Sequence, residues 1–316
     1  MESPAIIDLP AEAKTLPTLE ASYKARDVEG FLDLHFYRKV GFQLALLCSR
    51  LRMTPAQVTL CGGAFGIAAG HLYYYRDLRL NLLGLCLHII CNALDNADGQ
   101  LARLTNTGSR AGRILDSLSD HVVFVGIYLH LVLRCLAAGA SPAIWLLAFA
   151  AGLSHALQGG FADYARTAYL FLAAGRSRAD VDSSSRLRAD YEQLHWRREP
   201  WQKFLLRTYL NFTLSQEMLS PSLMHLRAAA WRAFPSTIPA ALQAEYRTAA
   251  RPLFQWIGRL MTNTRMLILF LVLILDHPAW YFVVEVTFLN LVLAYCLMRQ
   301  NQLCARFLPE IQNFAQ

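Results

Sequence analysis

Six apolar stretches run through this chain, at about 57–75, 80–103, 109–136, 141–174, 258–275 and 278–298, and each is long enough, or nearly so, to cross a bilayer as a helix. A hydrocarbon core of ~30 Å takes ~20 helical residues to cross. Apolar residues gathered into runs of that length point to one helical membrane domain rather than two soluble ones. Composition agrees: 55% of the 316 residues are hydrophobic and 17% are charged, where a soluble domain carries about 25%. The expected fold is an all-α integral membrane protein with six transmembrane helices, an N-terminal amphipathic surface helix and a cytoplasmic helical insert.

Punctuation along the chain supplies the boundaries. Residues 1–27, broken by Pro4, Pro10 and Pro17, read as a mobile tail, and their acidic start is not that of a cleavable signal peptide. Residues 28–52 mix Phe31, Leu34, Phe36, Val40, Phe42 and Leu46 with Arg38, Lys39, Arg50 and Arg52, the pattern of an amphipathic helix on a membrane surface. Thr54-Pro55 opens the membrane core, 53–174, with threonine as cap and proline at the first helical position. Gly62, Gly63, Gly66 and Gly70 give its first helix a small-residue face for close packing. Asn106-Thr107-Gly108-Ser109 is a turn. Residues 175–257 form an arginine-rich insert of short helices, 258–299 hold the last two spans, and 300–316 are a C-terminal tail.

With both ends inside, the turn at 95–112, the insert and the tail around Arg299 face the cytoplasm. The short outer segments 137–142 and 276–278 carry no lysine or arginine, as the positive-inside rule requires. Arg76 and Arg79 fall on the outer side against that trend. The net charge of +7 is accounted for by basic residues beside anionic lipid, and no nucleic-acid motif accompanies it. The seven cysteines include no CxxC pair and read as small buried hydrophobes.

Charged residues inside apolar segments are costly and mark function. Four acids cluster where the second stretch ends and the third begins: Asp95 and Asp98, followed by Gly99, Ala102 and Arg103, then Gly112, Asp116 and Asp120. Positions three or four apart share a helix face. Asp95, Asp98 and Ala102 therefore form one stripe, and Gly112, Asp116 and Asp120 another. A short turn makes the two helices antiparallel neighbours, so the four carboxylates converge. Two carboxylates ~5 Å apart repel by about 3 kcal/mol at an effective dielectric of ~20, so the cluster calls for cations. Hard oxygen ligands suit Mg²⁺, Mn²⁺ or Ca²⁺, and two such ions can clamp a diphosphate. Gly99, Ala102 and Gly112 leave room beside the backbone, and Arg103, Arg110 and Arg113 stand within reach of phosphate oxygens or mark the cytoplasmic boundary. Asp163 and Arg166, near cytoplasmic depth on the fourth span, are acceptor-site candidates.

The string D-x2-D-G-x2-A-R-x8-G-x3-D-x3-D, met here at Asp95, Asp98, Gly99, Ala102, Arg103, Gly112, Asp116 and Asp120, resembles the signature of the CDP-alcohol phosphotransferases, also called the CDP-alcohol phosphatidyltransferase family. The likeness covers residues 50–170 well. It implies transfer of a phospho-alcohol group from a CDP-alcohol donor to an acceptor hydroxyl, with release of CMP. It implies Mg²⁺ or Mn²⁺, two ions, on Asp95, Asp98 and Asp116 with Asp120 able to contribute. Asp120 is then the base for the acceptor's proton, Asp98, Gly99, Ala102, Arg103 and Gly112 surround the CDP moiety, and the protein works as a homodimer. Two departures stand out. The family often has Thr-Pro-Asn before the first span, where this chain has Ala56, and the insert at 175–257 is additional.

CDP-diacylglycerol with a polar acceptor is the favoured substrate pair, and a CDP-linked polar headgroup with a lipid or phosphorylated acceptor is the alternative. An aspartate-rich prenyl transferase would explain Asp116 and Asp120 but not Gly99, Ala102 and Arg103. An ion-coupled transporter would need broken or repeated helices. His88, His121 and His155 lack metal-ligand spacing and read as core residues. Glu285 either faces the acceptor cavity or pairs with an arginine.

Overall fold

The computed structural model describes residues 28–175, 182–235 and 237–314, and the regular structure among them is entirely helical. The tail expected at 1–27 lies outside the described residues. A π-helical turn at Asp33–Tyr37 leads into α1 (Arg38–Arg50). Thr54 then caps α2 (Pro55–Leu72): the Gln57 amide donates to Thr54 Oγ1 at 3.3 Å, and the Thr54 amide donates to Gln57 Oε1 at 2.8 Å. This reciprocal pair satisfies two otherwise orphaned donors. Next come α3 (Leu78–Leu104), α4 (Arg110–Ala137) and α5 (Ile144–Leu172).

Glycines set the spacing of this group. A Cβ added at Gly62 would stand 3.3 Å from Leu94 Cβ on α3, and one at Gly66 would stand 2.7 Å from both Val123 methyls on α4. The bare face of α2 therefore lies against both helices, as small residues permit. On the other flank α1 buries Phe42, Ala45 and Cys48, with Tyr37 of the preceding turn, and brings Gly41 against Asn96 and Ala97 of α3. Phe31 and Phe36 before it, Leu47 within it and Leu51 at its end are exposed. The segment read as amphipathic is thus docked on the aspartate-bearing helix.

The insert forms α6 (Ser184–Gln193), α7 (Pro200–Leu219), α8 (Pro221–Ala233) and α9 (Ala240–Ile257). After a short 3₁₀ turn come α10 (Thr262–Ile274), α11 (Ala279–Val286) and α12 (Phe288–Asn313). Leu223, Leu226 and Ala230 of α8 and Tyr246, Ala250 and Leu253 of α9 share one core with the end of α5 and with α12. The insert is therefore packed onto the bundle.

Three features differ from expectation. The last apolar stretch is interrupted at Thr287 (φ −110°, ψ −82°), which separates α11 from α12. The segment after 299, read as a tail, continues α12 to Asn313, because Gln300, Leu303, Cys304, Phe307 and Ile311 prolong its buried stripe. Five helical segments are long and apolar enough to cross a membrane: Leu78–Leu104, Arg110–Ala137, Ile144–Leu172, Ala240–Ile274 and Ala279–Asn313. The fourth joins α9 to α10 through the 3₁₀ turn that begins at Gly258. The glycine-rich α2 is not among the five.

At the end of the bundle away from the aspartates, Arg134 donates to Tyr73 O at 3.0 Å, Asn81 Oδ1 at 2.6 Å and Asp276 Oδ1 at 2.8 Å. Arg76 also pairs with Asp276, which gives this arginine a structural partner. All seven cysteines are free, five of them buried.

Candidate active site

The two acidic stripes meet because the chain reverses tightly between them. Asn106 takes φ +53°, a left-handed conformation that asparagine tolerates better than most residues, and the Thr107 amide donates to Ala102 O at 3.0 Å. Ser109 caps α4, its hydroxyl accepting from the Gly112 amide at 3.0 Å. Across this turn Asp95, Asp98 and Asp116 each offer a carboxylate oxygen, and these oxygens all lie within 4.8 Å of one another. Asp120, one turn further along α4, stands outside that triple.

Neighbouring helices hold the triple in place. Thr59 of α2 donates to the Asp98 carboxylate, which is buried. From the α1 side, Gln100 donates to Arg38 O at 3.1 Å. Asp116 Oδ1 is buried without a hydrogen-bond partner among the described residues. A buried acceptor left unmade costs about 1–3 kcal/mol, more when charged, and the convergent carboxylates add their repulsion. A divalent cation bound by Asp95, Asp98 and Asp116 answers both deficits, and an all-oxygen donor set suits Mg²⁺ or Mn²⁺.

The site opens onto one cavity of about 2180 Å³, lined by Asp98, Gly99, Ala102, Arg103, Gly112, Asp116 and Asp120. The guanidinium of Arg103 lies over Gly99, where an added Cβ would stand 3.5 Å from it. Arg113, Asp163 and Arg166 line the same cavity, whereas Asp95 and Arg110 do not. Arg110 is turned to the insert, with Nη1 2.6 Å from Asp190 and Nη2 2.8 Å from Asp182. Asp163 accepts from Gln216 Nε2 at 3.2 Å, and Arg166 lies 3.7 Å from Glu29.

Sequence reasoning missed Thr59 and the insert's share of the wall. Thr59 follows Pro55 by four residues, and its hydroxyl is also 3.0 Å from Pro55 O, but that local spacing carries no signal of the bond to Asp98. Asp182, Tyr209, Gln216 and Arg227 reach the cavity from the insert. Tyr209 donates to Asp182 at 3.3 Å, and burial pushes its phenol up to about 12, which keeps it a donor at neutral pH.

The remaining polar residues are internally engaged. Glu285 pairs with Arg265 at 3.0 Å, and Arg265 also donates to Gln158 Oε1 at 2.6 Å. His88 lies 3.3 Å from the Tyr73 hydroxyl, and His155 lies 3.2 Å from that of Tyr128. His121, read as a core residue, is instead exposed on the cavity wall and bonds Ser117 O on its own helix at 2.6 Å.

Fold and site together describe a multi-pass membrane protein whose helices bring three aspartates together beside a large cavity. Residues 52–165, from the start of α2 through most of α5, match the family model described as CDP-alcohol phosphatidyltransferase. A search of curated proteins finds no match to the chain.

Proposed function

We propose that the protein transfers a phospho-alcohol group from a CDP-alcohol to the hydroxyl of an acceptor, releasing CMP, and that the donor is CDP-diacylglycerol. The observation that carries this reading is the convergence of Asp95, Asp98 and Asp116 within 4.8 Å beside Gly99, Ala102 and Arg103 on one cavity wall. Mg²⁺ or Mn²⁺, two ions by family likeness, held by the aspartates would neutralise the diphosphate and make CMP a good leaving group.

The chain's own residues do the rest. Gly99 and Ala102 leave the wall low enough for the nucleotide to lie against the backbone. Arg103 meets phosphate oxygens, a role guanidinium geometry suits. The acceptor oxygen forms a bond to the phosphorus distal to cytidine, the bond from that phosphorus to CMP breaks, and the acceptor's proton passes to Asp120. A carboxylate is a weak base for a hydroxyl, so proton transfer is late. Most of the acceleration comes from positioning and charge stabilisation.

A lipid substrate is supported by the far part of the cavity. There Val125 and Leu129 of α4 and Trp145, Phe149 and Leu153 of α5 make an apolar, outward-open trough, which suits acyl chains. The same trough would serve a lipid acceptor, so a CDP-linked polar headgroup as donor is the second reading. Counting α2 as a span gives six, with the aspartates at the cytoplasmic face by the distribution of arginine. The working form is taken as a homodimer from the family likeness.

The test is CMP release by the purified protein in lipid nanodiscs with Mn²⁺, using radiolabelled CDP-diacylglycerol and CDP-linked headgroups in parallel against a panel of acceptors. Release with neither donor type sinks the transfer reading. Release only with CDP-linked headgroups selects the second reading.

A further inference from the structure

The insert places on the cavity wall a cation that the eight signature positions leave unexplained. Arg227 of α8 is only 8% exposed, and its guanidinium carbon stacks 4.7 Å from the ring centroid of Tyr164 on α5. Its Nη2 donates to the main-chain oxygen of Asp182 at 3.0 Å. Among the described residues no carboxylate pairs with it. The nearby acids are engaged elsewhere: Asp182 with Arg110 and Tyr209, and Glu217 with Ser184. Tyr164 is 3% exposed, and its hydroxyl has no hydrogen-bond partner among the described residues. Arg227 and Tyr164 both line the cavity onto which Asp98 and Asp116 open.

A buried guanidinium without a counter-charge is expensive, and so is a buried hydroxyl without a partner. One ligand relieves both. An oxyanion seated in the cavity accepts from the unused guanidinium N–H groups and from the phenol, a geometry to which arginine's planar fork is suited. The donor's diphosphate belongs beside Arg103 and the aspartates, so this second anion belongs to the other substrate.

We propose that Arg227 and Tyr164 form a subsite for an anionic group, a phosphate or a carboxylate, carried by the acceptor alcohol. The word acceptor rests on the transfer reading above, whereas the anion site does not.

Two measurements on the full-length protein in nanodiscs test this. In the first, thermal stability is titrated with inorganic phosphate against chloride at constant ionic strength. Wild type is expected to be stabilised by phosphate. Arg227→Met is expected to need roughly 10- to 100-fold more phosphate for the same shift, as fits loss of a bond to a charged group, with Arg227→Lys and Tyr164→Phe in between. Mn²⁺ binding should stay unchanged in all three variants. Phosphate that stabilises Arg227→Met as well as wild type, or stabilises neither, overturns the proposal. Should Arg227→Met fail to fold, Tyr164→Phe and Arg227→Lys carry the same comparison.

In the second, CMP release from CDP-diacylglycerol is followed with glycerol, glycerol 3-phosphate and serine. Preference for glycerol 3-phosphate identifies phosphate as the group, and preference for serine identifies carboxylate. The Arg227 variants should raise KM for the preferred acceptor and leave KM for the donor alone. Equal use of glycerol, or a rise only in donor KM, overturns the proposal. If wild type releases no CMP from any donor, the transfer reading fails while the phosphate titration still decides the subsite.

Discussion

The hydroxyl of Thr59 on α2 donates to the carboxylate of Asp98 on α3, so a helix with no acidic residue of its own orients a ligand of the candidate cation site. Thr59→Val keeps the shape and removes the donor. A hydrogen bond to a charged group is worth about 1.5–3 kcal/mol. We therefore expect Thr59→Val to weaken Mn²⁺ binding by roughly tenfold or more with little change in thermal stability, and Thr59→Ser to retain most of the affinity. Direct Mn²⁺ titration of the purified variants checks this, and unaltered affinity in Thr59→Val would refute it.

Asp116 should show opposite effects on activity and on stability. Asp116→Asn removes a cation ligand and should lower CMP release by at least about 100-fold, the scale of losing one preorganised charge-stabilising group. Chelation should stop wild type reversibly. In metal-free buffer the same substitution removes a carboxylate that repels its neighbours by about 3 kcal/mol each at ~5 Å. The metal-free variant should then melt above metal-free wild type. A lower melting temperature, or full activity after chelation, contradicts the electrostatic account.

The aspartates were legible in the sequence because their positions follow helical periodicity and the turn between them is short. Asp95, Asp98 and Asp116 needed only the rule that residues three or four apart share a face. The Thr54 cap was legible for a similar local reason. Thr59 was not, since its bond to Asp98 depends on how closely α2 approaches α3, which the four glycines allow but do not specify. Arg227 and Tyr164 lie far apart in the chain and meet only because α8 packs on the end of α5. The extent of α12 was misread because glutamines and arginines after Met298 mask a buried stripe that continues through Leu303, Phe307 and Ile311.

The ion cluster at the far end of the bundle should give the protein an acid-sensitive clasp. Hydrogen bonds from Arg76 and Arg134 hold the Asp276 carboxyl down at about 2, against an ordinary value of 3.8. Because the folded value is depressed, the contribution to stability is complete above about pH 4 and fades as pH falls towards 2. Asp276 is 41% exposed, so solvent and salt screen the effect and keep it modest. Asp276→Asn should lower the melting temperature at pH 6, and the difference from wild type should shrink at pH 3. A difference that is equal at both pH values rules the clasp out as its source.

Two neighbouring glycines of α2 should respond differently to one added methyl group. At Gly63 the new Cβ would meet the Ser119 hydroxyl at 2.6 Å, and that hydroxyl is the end of a side chain that can rotate away. At Gly66 it would meet both Val123 methyls at 2.7 Å and Cys91 Sγ at 2.9 Å. Valine is stiff at χ1 and no single rotation clears both methyls, so α2 would have to move off α4. Overpacking of this kind costs about 1–3 kcal/mol. The move would also draw Thr59 away from Asp98, one helix turn or two along the same face. Gly66→Ala should therefore lose both thermal stability and Mn²⁺ affinity, whereas Gly63→Ala should lose little of either. Val123→Ala added to Gly66→Ala should restore part of both, because it removes the methyls that the new Cβ strikes and leaves only the Cys91 Sγ contact. If the double variant binds Mn²⁺ no better than Gly66→Ala alone, the spacing between α2 and α4 is not what places Thr59 on its aspartate.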